Sequence, residues 1–475
     1  MSIIGKAYNT YCAYNTYKKE KMAEIDYSKH IIRENVAAEA REALVEGEDV
    51  AVRADLVDEV AEADDTPRES GFVETVKRLF GGDRVLWVII TALMTISVLV
   101  VYSSTAKMAY MPSSGSSTTE FLHSQLGLLA ICVVALFATH RFNSDFYRKV
   151  SYLVFFGGVG LTMAVYFVGT ASINGAARWI NIFGFQFQPS ELLKIGIIMY
   201  LARALADRQS KISTMQIVPT LKFWKWGEPK QLRIWRQGGL HIFLPIVLSC
   251  MVIMPAHTSS AVLVFGISLV LLYIGRVNGT EILRVILWAV VGAALVGILG
   301  LGRSHTAGGR IETWIDVWTQ DRTKIEVQDL SDTERAMIAI YNGGVMGRGA
   351  GQSSMRVEMT HPESDYAFAL FVEEYGIVIA AILIALYVWV FFRAIEIFKQ
   401  CPEKYPSLLS LGVALLITVQ ALLHIMVAVN ILPETGQPLP LISRGGSSLL
   451  FTSIGLGMIL SVSRQNLEGS YTKEE

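Results

Sequence analysis

The chain has 475 residues, 52% of them hydrophobic, a mean hydropathy of +0.42 and a formal net charge of −1. That balance excludes an ordinary soluble domain, and the near-zero charge gives no reason to expect nucleic acid as a partner. Four cysteines, Cys12, Cys132, Cys250 and Cys401, sit at scattered spacings that suggest neither a disulfide framework nor a zinc site.

Residues 1–80 differ from everything after them. Lys18, Lys19, Lys21, Lys29 and Arg33 come first, then an acid-rich stretch with Glu46, Glu48, Asp49, Asp55, Asp58 and Glu59. Such a segment cannot bury a core alone and is expected to be a charged, mobile cytoplasmic extension, with a docking tail for cytoplasmic partners as the functional alternative. No secretory signal peptide is visible, because the first long apolar run begins only near Val85.

From there apolar runs fall at 85–106, 122–139, 150–168, 189–206, 240–256, 259–275, 285–301, 366–392, 407–431 and 447–463. A spanning helix needs roughly 20 apolar residues, so the pattern predicts an all-α integral membrane protein with about ten transmembrane helices across 81–466. Basic residues gather before the first run (Lys77, Arg78, Arg84), after the second (Arg141, Arg148, Lys149) and in 207–238. More follow at Arg276, Arg284, Arg393, Lys399 and Arg464. These loops share one side if the count holds, and the positive-inside rule makes it the cytoplasm, with both termini and the short tail 467–475 there. The connections 107–121, 169–188, 302–365 and 432–446 then face outward. The largest, between helices 7 and 8, carries Trp314 and Trp318 at helical spacing and the run Gly343-Gly-Val-Met-Gly-Arg-Gly-Ala-Gly351. That run lacks the Lys-Ser/Thr of a P-loop, so a flexible loop is expected.

Three clusters meet on the outer side. The first joins Arg178 and Trp179 to Gln188-Pro189-Ser190-Glu191-Leu192-Leu193-Lys194. Pro189 suits a helix first turn, with Gln188 or Ser190 serving its open amides. Glu191 and Lys194, three apart, can neutralise each other inside an apolar helix. Arg178 offers a planar guanidinium suited to pyrophosphate, with snorkelling to lipid phosphate as its bland alternative. The second cluster is Asp365, which precedes an apolar run and on local sequence alone reads first as a helix N-cap. Glu373 follows about 12 Å further in, and Glu374 points elsewhere, so the two glutamates should have different partners. The third is Gly436-Gln-Pro-Leu-Pro-Leu-Ile-Ser443-Arg444-Gly-Gly-Ser447-Ser448, stiffened by prolines and closed by glycines.

Together these segments resemble the SEDS family (shape, elongation, division and sporulation), which includes FtsW and RodA, over roughly residues 81–466. Gly175-Ala-Ala-Arg178-Trp179 with Gln188-Pro-Ser-Glu-Leu-Leu-Lys194 is similar to the family's G-A-x-R-W and Q-P-S-E-L-x-K signatures. Gly436 to Ser448 is similar to its G-x-P-L-P-x-x-S-x-G-G-S-S, and Ser364-Asp365-Tyr-Ala-Phe-Ala to its T-D-F-I-F-A. The chain departs from the pattern at Ser364 for Thr, in the acid missing from Met254–Ala261, at His424 for Asn and at Arg444. The closing wording looks more like the FtsW branch than the RodA branch.

The resemblance implies a peptidoglycan glycosyltransferase that polymerises lipid II during division, in the bacterial cytoplasmic membrane with its site on the extracytoplasmic side. It implies Asp365 as general base, with Arg178, Trp179, Gln188, Glu191, Lys194, Ser443, Arg444 and Ser447 about the substrate. Undecaprenyl-pyrophosphate-linked glycan would be the donor, and a class B penicillin-binding protein transpeptidase and other division proteins the partners. No metal ligands are expected from the chain; a divalent cation, Mg or Mn, is the one cofactor left open. On the residues alone two other classes stand beside this one. A lipid II flippase would explain the intramembrane charges and leave Asp365 without a task. A non-catalytic division scaffold would act through the N-terminal extension.

Overall fold

The computed structural model describes residues 80–110, 118–168, 171–173, 176–182, 185–218, 239–298, 304–319, 330–360 and 362–469. The N-terminal extension, apart from Phe80, and residues 470–475 of the tail lie outside them. Each predicted apolar run falls on a helix. These are α1 (Arg84–Tyr110), α2 (Thr118–Arg141), α3 (Ser144–Val168), α4 (Pro189–Asp207), α5 (Leu240–Ile253), α6 (Thr258–Ile274) and α7 (Gly279–Ile298). Two helices, α8 (Ser304–Thr319) and α9 (Asp332–Gly343), lie in the long connection that follows α7. Then come α10 (Ala367–Gln400), α11 (Lys404–Ala428) and α12 (Gly446–Leu467). Among the described residues five helices are by themselves long and apolar enough to cross a membrane, α1, α3, α10, α11 and α12.

A helix that is apolar all round belongs in the middle of a bundle. Accordingly, 15 of the 19 residues of α4 are buried, and α11 and α12 are buried along most of their length. α3 packs on α4, α2 on α12, and α10 on both α9 and α11. The segment 169–188 is not a plain connection. It folds into a three-stranded antiparallel sheet, β1 (Ala171–Ile173), β2 (Ala176–Ile182) and β3 (Phe185–Phe187), with Ala171 opposite Trp179 and Ile180 opposite Phe187. Phe187 meets Phe451 of α12 edge-on at 5.6 Å, which ties the sheet to the bundle.

Two expectations are corrected. The run at 366–392 is not one uninterrupted helix, because Gly376 breaks α10 with φ 81° and ψ 170°. That conformation is essentially reserved for glycine. The glycine run 343–351 is not a loose loop either. Its Arg348 and Gly349 N–H groups donate to the Glu373 and Glu374 carbonyls at 2.9 Å each, and Ile377 N–H donates to Gly344 O at 3.0 Å. These bonds satisfy carbonyls that the break in α10 would otherwise orphan. The approach is close enough that a side chain at Gly347 would strike the Glu374 carbonyl.

Candidate active site

The loop between α11 and α12 is held by each element around it. Gln437 Nε2 donates to Ser260 Oγ of α6 at 2.6 Å and meets His257 Nδ1 at 3.1 Å. The Pro438 carbonyl accepts from Gln420 Nε2 of α11 at 3.1 Å, and the Pro440 carbonyl accepts from the Tyr387 hydroxyl of α10. Ser443 Oγ accepts from Leu439 N–H and donates to the Ser364 carbonyl, both at 2.8 Å, while Arg444 N–H donates to the Glu363 carbonyl at 2.9 Å. The second and third sequence clusters, 79 residues apart at Ser364 and Ser443, are therefore one unit. Prolines make this possible. Their carbonyls accept from two helices, α11 through Gln420 and α10 through Tyr387, and having no N–H of their own they leave no donor there to satisfy.

Asp365 sits on that seam, half-buried. It does not cap α10: Tyr366 is the N-cap residue and makes no side-chain cap bond, and the first-turn amide of Phe368 donates elsewhere. Its carboxylate accepts from Ser364 Oγ at 3.1 Å. Behind it His424 Nε2 accepts from Phe368 N–H at 3.4 Å and Nδ1 donates to the Gln437 carbonyl at 2.8 Å, a pairing that fits the neutral ring. Tyr366 is buried, and its hydroxyl lies 3.0 Å from Thr333 Oγ1 of α9. Burial raises its phenol above the ordinary range, the carboxylates of Glu434, Asp332 and Asp365 adding in the same direction, so it stands as a neutral hydroxyl.

Lys194 and Glu191 form a 2.7 Å ion pair with 1% and 7% of their side chains exposed, and Lys194 also donates to Gln420 Oε1 at 3.1 Å. Through Gln420 the pair reaches Pro438, so it supports the loop from inside the bundle. Gln188 is the N-cap residue of α4 with no side-chain bond to its amides, and Pro189 occupies the first turn as expected. Trp179 lies half-buried on β2. Arg178 is also on β2, but its side chain lies outside the described part of the structure. Arg444 is half-exposed, and Ser447 is fully buried with its hydroxyl unpartnered.

Glu373 and Glu374 do have different partners. Glu373 accepts from Ser354 N–H at 3.0 Å, Ser354 Oγ at 2.9 Å and Ser353 Oγ, with Arg348 3.6 Å away. Glu374 accepts from Ser103 Oγ of α1. Glu373 ties the turn that follows the glycine run to α10, and Glu374 ties α10 to α1. Among the described residues no three His, Cys, Asp or Glu side chains converge to hold a metal ion. Sequence reasoning missed the His257–Gln437–Ser260 contacts and Arg310 and Asn430 near Tyr366. Arg310 lies four residues before Trp314, hence on the same face of α8, and that spacing was the available signal.

Comparison with known proteins covers the same span as this architecture. The family model described as cell cycle protein, FTSW_RODA_SPOVE, matches residues 83–468. Stage V sporulation protein E of Bacillus subtilis (strain 168) is 28% identical over 387 residues, 80% of this chain and 97% of the relative. A probable peptidoglycan glycosyltransferase FtsW of Geobacter sulfurreducens is 26% identical over 392 residues, 82% of this chain and 96% of the relative. In fold, the chain resembles the Rod shape determining protein RodA of Thermus thermophilus with a TM-score of 0.53 at 22% identity, covering 81% of this chain and 97% of that one. It also resembles a chain of a peptidoglycan synthase complex that coordinates polymerization and crosslinking, with a TM-score of 0.57 at 20% identity, covering 81% and 98%. The chain belongs to the SEDS family of multi-pass membrane proteins, the family of FtsW, RodA and SpoVE.

Proposed function

We propose that this protein is a peptidoglycan glycosyltransferase of the bacterial cytoplasmic membrane, polymerising lipid II on the extracytoplasmic side during cell division. Asp365 acts as general base. It takes the proton from the acceptor sugar's 4-hydroxyl as that oxygen attacks the donor's anomeric carbon and the lipid pyrophosphate departs. The observation that carries this reading is the Asp365 carboxylate itself. It is half-exposed on a seam built from two distant segments, it caps no helix, and its one short bond comes from the neighbouring Ser364 hydroxyl. A carboxylate held so firmly at its backbone and left so open at its oxygens suits proton transfer better than a structural role.

The leaving pyrophosphate needs cationic stabilisation. Arg178 and Arg444 are the candidates from the signature segments, and a divalent cation, Mg or Mn, would add to that stabilisation if bound. Trp179, Gln188, Ser443 and Ser447 belong to the loops framing the site, and Glu191 and Lys194 act by positioning. The relative named as a probable peptidoglycan glycosyltransferase and the likeness to a synthase-complex chain support this activity and a class B penicillin-binding protein as partner. A carrier would need mobile intramembrane charges, whereas Glu191, Lys194, Glu373 and Glu374 are all engaged in internal bonds.

The test is lipid II polymerisation by the purified protein, with and without its cognate transpeptidase, comparing wild type with Asp365→Asn. Strands from wild type and none from the folded variant support the reading. Strands from both remove Asp365 from the mechanism, and none from wild type with the partner present removes the activity.

A further inference from the structure

Three segments meet on one buried ring. His424 of α11 is 1% exposed and joins the first turn of α10 to the loop ahead of α12. Each bond dictates the state of the nitrogen that makes it. The Gln437 carbonyl can only accept, so Nδ1, 2.8 Å away, carries the proton. Phe368 N–H can only donate, so Nε2, 3.4 Å away, is bare. Phe368 N–H is among the amides that the start of a helix leaves without a backbone acceptor, and this helix starts directly after Tyr366, the neighbour of Asp365. Tyr366 makes no side-chain bond to that turn, so His424 supplies an acceptor from 56 residues away.

Gln437 also touches a second histidine, which tolerates a proton where His424 does not. His257 Nδ1 lies 3.1 Å from Gln437 Nε2, and Gln437 Oε1 is buried without a partner. A proton on His257 Nδ1 is met by turning the Gln437 amide over, since Ser260 Oγ, 2.6 Å from Nε2, can donate as well as accept. A proton on His424 Nε2 instead sets two donors face to face, and a backbone N–H cannot change its role. Other ionisable groups on the elements around α11 are Glu434 and Arg444 in the loop and Asp332 of α9. The Glu191–Lys194 pair of α4 reaches Gln420, one turn before His424. Ahead of α10 stand Glu363 and Asp365, and the Asp365 carboxylate is close enough for its charge to act on the ring.

We infer that His424 is an acid-sensitive positioning residue for Asp365. Its neutral ring fixes the first turn of α10 against the loop, and with it the stretch of chain that carries the carboxylate. A proton on Nε2 breaks the bond to Phe368 and frees that turn, and the charged ring is then drawn to the carboxylate that has to stay open. Activity is complete while the ring is neutral and falls as pH drops through its pKa. The inference rests on the proposed reading of Asp365 as general base.

Two substitutions in the full-length protein test it. His424→Asn offers an oxygen to Phe368 N–H and an N–H to the Gln437 carbonyl and does not titrate, whereas His424→Leu offers neither. Hydrogen exchange over residues 366–372 reads the bond without reference to catalysis, each variant being compared with wild type at the same pH. At about pH 8 the Asn variant should match wild type within about threefold and the Leu variant exchange about tenfold faster. At about pH 5 wild type should join the Leu variant while the Asn variant stays protected. In lipid II polymerisation with the cognate transpeptidase, kcat of wild type should fall about tenfold further between those pH values than that of His424→Asn, and His257→Asn should keep the wild-type fall. Equal exchange in wild type and His424→Asn at both pH values overturns the acid sensitivity, and a Leu variant as protected as wild type at the higher pH overturns the bond. If exchange behaves as stated while polymerisation by wild type and His424→Asn falls alike, the positioning of Asp365 is overturned and the function stands. If exchange behaves as stated but wild type makes no strands, the ring keeps its hold on α10 and the transferase reading fails.

Discussion

Replacing Lys194 with Met should destabilise the protein by about 3–5 kcal/mol, the cost of leaving one member of a buried ion pair uncompensated. The magnitude follows from geometry. Glu191 is 7% exposed and 2.7 Å from the ammonium, so without it the carboxylate keeps its desolvation and loses its counter-charge. Gln420 Oε1 loses its 3.1 Å donor as well, which adds about 1 kcal/mol. Substituting both residues, Lys194→Met with Glu191→Leu, should recover most of the loss, since well-packed apolar groups replace buried pairs at little net cost. The assay is equilibrium unfolding in detergent for wild type, both single variants and the double variant, read as a cycle. A coupling of about 2–3 kcal/mol is expected; single effects that add within about 0.5 kcal/mol would refute the reasoning. Polymerisation rates of the same variants give a second readout. The single variant should lower kcat more than it raises KM, because the pair reaches the Pro438 loop through Gln420 and touches no substrate.

Ser443→Ala removes the bond to the Ser364 carbonyl and the one accepted from Leu439 N–H and should cost about 1–3 kcal/mol in unfolding and lower kcat, while Ser443→Thr, which keeps the hydroxyl, should retain more of both. Gly376→Ala should cost about 1–3 kcal/mol from backbone strain alone, and more because its Cβ would strike the Val345 carbonyl; the shift in unfolding temperature measures it. Asp365→Asn should lower polymerisation by about 10²–10⁴-fold, the usual weight of a general base, with the unfolding temperature within a degree or two of wild type because the side chain caps nothing.

The helical class and the position of every apolar run could be read directly, because lipid demands long uninterrupted apolar segments and the sequence contains them. The Glu191–Lys194 pair was legible for the same local reason, a three-residue spacing on one helix. What escaped was whatever depends on contact between distant segments. A Ser-Asp pair before an apolar run looks like a cap, and only the packed structure shows Ser364 taken up by Ser443. The glycine run looked loose because its partners, the carbonyls of Glu373 and Glu374, become available only where α10 breaks at Gly376. β1 to β3 escaped because strands of three to seven residues carry almost no periodic signal.

The break at Gly376 bears on how the protein tolerates its lipid solvent. Bilayers differ in thickness by several ångströms, and a spanning helix answers by tilting. In a rigid rod that tilt would swing the end bearing Asp365 through an arc. Here Ile377–Gln400 and Ala367–Tyr375 meet at a residue with no side chain, and the outer segment 344–349 clasps both edges of the joint. The membrane half of α10 can then follow the lipid while the outer half stays with the seam. The setting of Asp365 in this arrangement is referenced to the loops around it rather than to the bilayer, and polymerisation by the proposed transferase should vary little between thin and thick lipid environments.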